Sequence, residues 1–315
     1  MFGPIRTGEG NGRLPRWVTG KPAPLGAGHE VRARLRGAGL ASVCEEARCP
    51  NLADCFGRGV ATFMILGDTC TRRCGFCAVA HGAPAPPDAD EPARLAGAAL
   101  GMGLRHVVVT SVDRDDLADG GAAHFAATVA ALRATLPAAT VEVLTPDFGG
   151  RGESVDRVAD ARPAVYNHNL ETVARLQSVA RPDGDYRRSL AVLARVKARH
   201  PRMWVKSGLM AGLGETDAEL DAAFRHLRDA GCDLLTLGQY LRPGRDQLPV
   251  ARYLEPADFA RLKARALEMG FAHVAAGPRV RSSFNAGPVL AALAGASNNL
   301  FGRARGMHPG APENG

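Results

Sequence analysis

The sequence predicts an α/β fold: a parallel sheet with helices outside it, as in a barrel or part of one. Three observations carry this expectation. Apolar β-type runs and helix-like stretches alternate six times. Polar, glycine-rich motifs follow nearly every apolar run. The length, 315 residues, is normal for one α/β barrel-type domain.

Residues 1–40 are rich in Gly and Pro and poor in periodicity, so they read as an extended arm wrapping a body. The six expected strands are VATFMIL (60–66), RHVVVT (105–110), TVEVL (140–144), PAVYNHN (163–169), RMWVKSG (202–208) and DLLTLGQY (233–240). Helix-like stretches lie between them at 91–103, 121–136, 186–200 and 215–231. The last has Thr216 as N-cap, Glu219 three residues on as a capping box, and Gly231 as its stop. A further helix at 256–270 leads into FAHVAAGPRVRSSFNAG, and the Gly-rich tail after 300 reads as disordered. In parallel barrels the chemistry sits at the C-terminal ends of the strands. The motifs GDTCTRRC, SVDRDDLADGG, TPDFGGRGE, NHNLET, SGLMAGLGE and GQYLRPG all fall there, so they should ring one mouth.

Hydrophobic residues at 46% and charged residues at 23% match a soluble globular protein. No run of 18 apolar residues and no signal-peptide core is present, so no membrane is expected and the location reads as cytoplasmic. The net charge of +7 suits an acidic partner or a thinly spread Arg-rich composition equally well. No nucleic-acid motif is found, and no nucleic-acid partner is expected.

Six of the seven cysteines crowd into residues 44–77, which points to a reducing compartment and metal binding rather than disulfides. Cys232 stands apart and reads as a small buried hydrophobe. Cys70, Cys74 and Cys77 form C-x3-C-x2-C. Thiolates suit iron–sulfur clusters, and a four-iron cube held by three thiolates keeps one iron open for a substrate or cofactor. The alternative is a zinc site completed by His81, although zinc sites usually pair C-x2-C with a distant second pair.

With Phe76 before its last cysteine, this motif resembles the radical SAM enzymes. Their GxIxGxxE element appears as GLMAGLGE, Gly208 to Glu215, with Met210 at the Ile position. The resemblance implies a partial (β/α)6 TIM-type barrel, here with N- and C-terminal extensions. It also implies an open iron that chelates S-adenosylmethionine and yields a 5′-deoxyadenosyl radical. Cys44, Cys49 and Cys55, at C-x4-C-x5-C, narrow the likeness to the lipoyl synthase family. So do LPRW, CEEARCPN, VVVTSVDRDDLADGGA, YNHNLETV, GQYLRPG and GPRVRSSF, in that order along the chain.

What that family resemblance implies is concrete. The division is 1–56 as the auxiliary-cluster arm, 57–270 as the barrel, and 271–315 as a segment with a serine ligand and a flexible tail. Two [4Fe–4S] clusters are implied, one on Cys70, Cys74 and Cys77, the other on Cys44, Cys49, Cys55 and Ser283. S-adenosylmethionine would meet Phe76, Ser111, Asp113, Asn169, Glu171, Lys206, Gly208, Gly212, Glu215 and Gln239. The implied reaction inserts sulfur at C6 and C8 of an octanoyl-lysine on a carrier, a lipoyl domain or the glycine cleavage H protein. A flavodoxin or ferredoxin would be the reductant. On residues alone, Asn169 could instead cap a helix near Leu170, Asp115 and Asp116 could form a solvated turn, and RSSF could be a polar turn. The chain departs from the family pattern at Phe56, Gln247, Phe284 and Asn285. Two other readings remain at this point. One is another sulfur-inserting radical enzyme, such as a biotin synthase-like protein or a methylthiotransferase. The other is a non-catalytic metal-binding module, against which six motif-bearing strand ends argue.

Overall fold

The structure is a computed structural model that describes residues 14–19, 29–46, 49, 51–52 and 62–283. Cys55, Phe56, Phe284, Asn285 and the tail after 300 lie outside the described residues. Strand β1 (Ala41–Ser42) runs antiparallel to β2 (Thr62–Ile65). Strands β3 (Thr69–Cys70) and β4 (Ala80–His81) form a separate parallel pair that carries the cysteine loop. Strands β5 (His106–Ser111), β6 (Thr140–Leu144), β7 (Val165–Asn167), β8 (Trp204–Ala211), β9 (Leu234–Gln239) and β10 (His273–Gly277) continue the main sheet in parallel. Its order is β1-β2-β5-β6-β7-β8-β9-β10, an open sheet with β1 and β10 at its edges.

The six expected parallel strands are all present, and two further strands join them. β1 is two residues long, and β10 is HVAAG, whose alanines have weak strand preference. They come from the first and last expected segments, so both extensions help build the sheet. The arm is also not extended where it is described. Short helices form at Arg16–Thr19 and His29–Gly37, the second burying Val31 and Leu35 four residues apart. Trp17 Nε1 donates to Leu254 O at 3.1 Å and pins the first of them to the barrel.

Helices at Glu91–Gly101, Ala122–Thr135, Gly152–Asp160, Tyr186–Arg199, Asp217–Asp229 and Pro256–Glu268 fill the crossovers. The capping box at Thr216 forms as expected: Thr216 Oγ1 accepts from Glu219 N, and Glu219 accepts from Thr216 N at 2.8 Å. A cap of this kind stabilises a helix by about 1 kcal/mol. Glu255 and Asp258 make a second box ahead of Pro256.

The two faces of the sheet differ in kind. Val107 and Val109 are fully buried in the apolar layer that also holds Phe125, Val129 and Leu132 of the helix Ala122–Thr135. The inner face is mixed: Val108, Val165 and Leu234 are apolar and buried there, beside a set of buried polar groups. Thr110, Glu142, Asn167, Lys206 and Thr236 are each at most 5% exposed. Lys206 Nζ donates to Glu142 Oε1 at 2.8 Å, and Asn167 Nδ2 donates to the same oxygen at 3.3 Å. Burial pushes the Glu142 carboxyl up, but Lys206 and His106 outweigh it and hold it below the usual range.

Candidate active site

The cysteine loop is held by its neighbours rather than by its own sequence. Thr71 N donates to Asp113 O at 3.0 Å, Gly75 N to Ala180 O at 2.8 Å, and Leu248 N to Gly75 O at 2.8 Å. Gly75 has no room for a side chain: an added Cβ would stand 3.0 Å from both Leu248 Cγ and Val179 O. The loop therefore packs against the segments that follow β5, β7 and β9.

Backbone N–H groups are aimed at the first sulfur: Arg72 N lies 3.4 Å and Asp113 N 3.3 Å from Cys70 Sγ. All three loop cysteines are free and half-buried. Burial, reinforced by the Asp113 charge, pushes the Cys70 thiol up to about 11. Burial lifts Cys74 to about 12 against the pull of Arg181, and Cys77 also rises, again chiefly by burial. Thiols raised in this way make poor nucleophiles. They give up their protons to a coordinating metal, which supplies the missing positive charge. Three free thiols with N–H groups on sulfur therefore fit a metal cluster and not a redox or nucleophilic cysteine. Among the described residues, no group of three or more His, Cys, Asp or Glu side chains closes round a single metal ion, the triad and His81 included.

Arg72, inside the motif, is 6% exposed and gathers three carboxylates. Its Nε donates to Asp115 Oδ2 at 2.6 Å and its NH2 to Asp115 Oδ1 at 2.7 Å. NH2 also pairs with Asp147 Oδ1 at 2.8 Å, and NH1 stands 3.3 Å from Asp113 Oδ1. Asp147 in turn accepts from Arg188 Nε at 2.8 Å. Asp115 and Asp116 do lie in an exposed turn, and from it Asp115 clamps the loop through Arg72 while Asp116 pairs with Arg114. Neither Arg72 nor Asp147 was singled out in the sequence, because both sit inside stretches dominated by cysteines or glycines.

The far wall comes from the ends of β7 and β8. No helix starts at Leu170, so Asn169 caps nothing; instead its Nδ2 donates to Glu171 Oε1 at 3.1 Å and to Ser282 Oγ at 2.6 Å. Glu171 holds a left-handed backbone, φ 70°, fixed by Glu171 N donating to Gly208 O and Met210 N donating to Glu171 O. Such strain in a non-glycine residue persists only where the surroundings enforce it, and it gathers at functional sites. Burial pushes the Glu171 carboxyl up, opposed by Arg181 and Asn169. Ser111 Oγ and Asn169 Oδ1 are buried polar atoms with no partner, which is what a site awaiting a polar ligand leaves behind. Gly208 keeps this wall open, since a Cβ there would lie 2.7 Å from Asn169 Oδ1 and 2.9 Å from Thr236 Oγ1.

Lys206, Glu215 and Gln239 behave differently: each is engaged with protein. Lys206 pairs with Glu142 below the mouth. Glu215 accepts from Gly212 N at 2.7 Å and Leu213 N at 2.9 Å, bracing its own turn. Gln239 donates to Tyr240 O and Arg252 O and accepts from Leu254 N, while Gly212, at φ 101°, leaves the space its amide occupies. Phe76 is half-buried in the loop.

The second triad is described only at Cys44 and Cys49. Asn51 Nδ2 donates to Arg279 O at 2.6 Å, and Arg279 Nε donates to Asn51 Oδ1 at 3.0 Å. The Arg281 guanidinium lies against Cys49. Gly238 permits this crossing, because a Cβ there would collide with the Val280 carbonyl oxygen. The segment carrying Ser283 thus returns over the mouth to the arm of Cys49.

The thiol-bearing loop and the open parallel barrel define a radical SAM protein, and the Radical SAM superfamily profile matches residues 64–227. Two solved structures share the fold at low identity. The [FeFe]-hydrogenase maturase HydG aligns with TM-score 0.53 at 14% identity, over 73% of this chain and 63% of its own. Streptococcus suis SuiB bound to its precursor peptide aligns with TM-score 0.52 at 13% identity, over 72% and 52%. The lipoyl synthase of Methylococcus capsulatus is 59% identical over 87% of this chain and 85% of its own. That of Thiobacillus denitrificans is 55% identical over 90% and 91%. The chain belongs to the lipoyl synthase family.

Proposed function

We propose that this chain converts an octanoyl-lysine on a carrier protein into lipoyl-lysine by inserting sulfur at C6 and C8. The observation that carries this reading is the meeting of two thiol-bearing regions at one barrel mouth, joined through Asn51, Arg279 and Arg281. A single-cluster enzyme has no use for the second.

Cys70, Cys74 and Cys77 would hold one [4Fe–4S] cluster, and Cys44, Cys49, Cys55 and Ser283 a second that serves as sulfur source. When bound, the first cluster and S-adenosylmethionine supply the hydrogen-abstracting power that an unactivated C–H bond demands. This chain's residues do the rest. The Arg72 clamp holds the cysteine loop against the ends of β5 and β6. Asn169, Glu171, Ser111 and Asp113 offer polar atoms to the cofactor, and Gly208 makes room for it. Lys206, Glu215 and Gln239 serve that wall by bracing it. The serine oxygen of Ser283 is a harder ligand than thiolate and so easier to release when sulfur is given up. The carriers are lipoyl domains and the glycine cleavage H protein, and the reductant a flavodoxin or ferredoxin. No helix of the described residues is long and apolar enough to cross a membrane; a cytoplasmic location is part of the same proposal.

The test is anaerobic reconstitution followed by incubation with an octanoyl-lysine peptide, reductant and S-adenosylmethionine. About eight irons and eight sulfides per chain are expected, with two sulfurs added to the peptide by mass. Stoichiometric zinc with little sulfide, or cofactor cleavage with no sulfur added, overturns the reading.

A further inference from the structure

The turn that carries Ser283 is fastened at two places. On one side Arg279 exchanges two hydrogen bonds with Asn51. On the other, Ser282 Oγ accepts from Asn169 Nδ2 at 2.6 Å, reaching 113 residues back along the chain. Asn169 Nδ2 also donates to Glu171 Oε1 at 3.1 Å. A carboxylate accepts only from the amide nitrogen, which fixes how the amide is turned. Both N–H groups of Asn169 are therefore in use, and only its Oδ1, buried and without a partner, stands open.

This arithmetic of donors has a consequence for any ligand at the mouth. A ligand bringing only donors can take Oδ1 and leave the turn undisturbed. A ligand bringing an acceptor oxygen must take an N–H from Glu171 or from Ser282. Releasing Glu171 would take the Asn169 donor from a carboxyl group whose charge burial already disfavours, the costlier loss. Releasing Ser282 frees a neutral hydroxyl in a half-buried turn, the lesser loss.

We propose that Ser282 is a positioning residue: its bond to Asn169 ties the Ser283 turn to the cofactor wall, and an acceptor oxygen of S-adenosylmethionine, ribose or carboxylate, releases it. This rests on the reading above that the cofactor meets Asn169 and Glu171. Cofactor arrival then loosens the turn whose serine is proposed to hold the second cluster. By linkage the turn must weaken cofactor binding by the same factor. One neutral hydrogen bond corresponds to about a fivefold change in an equilibrium constant.

The experiment uses the reconstituted two-cluster protein without reductant, so that nothing turns over. Amide hydrogen exchange in residues 279–283 is followed with and without S-adenosylmethionine, and cofactor affinity is measured by equilibrium dialysis. In the native chain the cofactor should raise exchange in the turn about fivefold. Ser282→Ala should show the raised rate already without cofactor, gain nothing on its addition, and bind the cofactor about fivefold tighter. Ser282→Thr, which keeps the hydroxyl, should behave as the native chain does. A purely structural serine would give weaker or unchanged binding on truncation. Native exchange indifferent to cofactor, or Ser282→Ala binding it no tighter, overturns the proposal. If the native chain binds the cofactor while these differences are missing, this inference alone falls. If it does not bind the cofactor at all, the functional reading falls and takes this inference with it.

Discussion

Replacing Lys206 with Met tests what the barrel interior is for. Lys206 Nζ stands 2.8 Å from Glu142 Oε1, and the two are 4% and 1% exposed. Removing one partner of a buried pair leaves an uncompensated charge, which costs about 3–5 kcal/mol. Here the loss should lie near the lower end, about 3 kcal/mol, because Asn167 still donates to the carboxylate and His106 Nε2 stays 3.7 Å from its second oxygen. The pH dependence has a definite sign. In the native chain Glu142 is held below its usual range, so its stabilisation is present above about pH 4.5 and lost as pH falls through the lower folded value. Without Lys206, burial dominates and the folded value rises above the unfolded one. The variant's deficit is then largest at neutral pH and narrows as the carboxyl protonates. Urea denaturation at pH 7.5 and pH 5 reads both effects. The double variant Lys206→Met with Glu142→Leu should recover most of the stability, since buried pairs exchange for apolar residues at little net cost. It should also recover cofactor cleavage if Lys206 is a brace. A single-variant loss under about 1 kcal/mol, or a stable double variant that cleaves nothing, refutes the bracing role.

Cys74→Ala should abolish S-adenosylmethionine cleavage and sulfur insertion together, whereas Cys49→Ala should spare part of the cleavage and end insertion; product analysis separates the two. Gly238→Ala places a Cβ against the Val280 carbonyl oxygen, so it should displace the Ser283 turn, lower second-cluster iron, and leave cofactor cleavage standing, read by iron analysis and cleavage assay. His168, buried among Arg181, Asp147 and Arg72, has its imidazole lowered by burial from 6.5 to about 4. It stays neutral in the fold, so stability complete above pH 6.5 should fall by about 3 kcal/mol by pH 4, and His168→Gln should flatten that slope in denaturation at stepped pH.

The order of six strand–helix units was legible in the sequence because alternating burial imposes a period on apolar residues. The capping box at Thr216 was legible because its bonds join neighbours in sequence. The cysteine triads were legible because three thiols at tight spacing stand out by residue type and interval alone. The β10 strand was not, since HVAAG acquires its pairing only from β9. The helix His29–Gly37 was not either, its narrow apolar stripe being hidden among arginines. Within the site, sequence singled out Asn169 and Glu171 but not what they touch. That Lys206, Glu215 and Gln239 are braces, that Arg72 gathers Asp113, Asp115 and Asp147, and that Ser282 reaches Asn169 are all matters of contact between distant segments. Local sequence sets backbone preference, periodicity and the supply of ligand types. Which donor finds which acceptor across a barrel mouth depends on three-dimensional closure, and only the tertiary structure decides it.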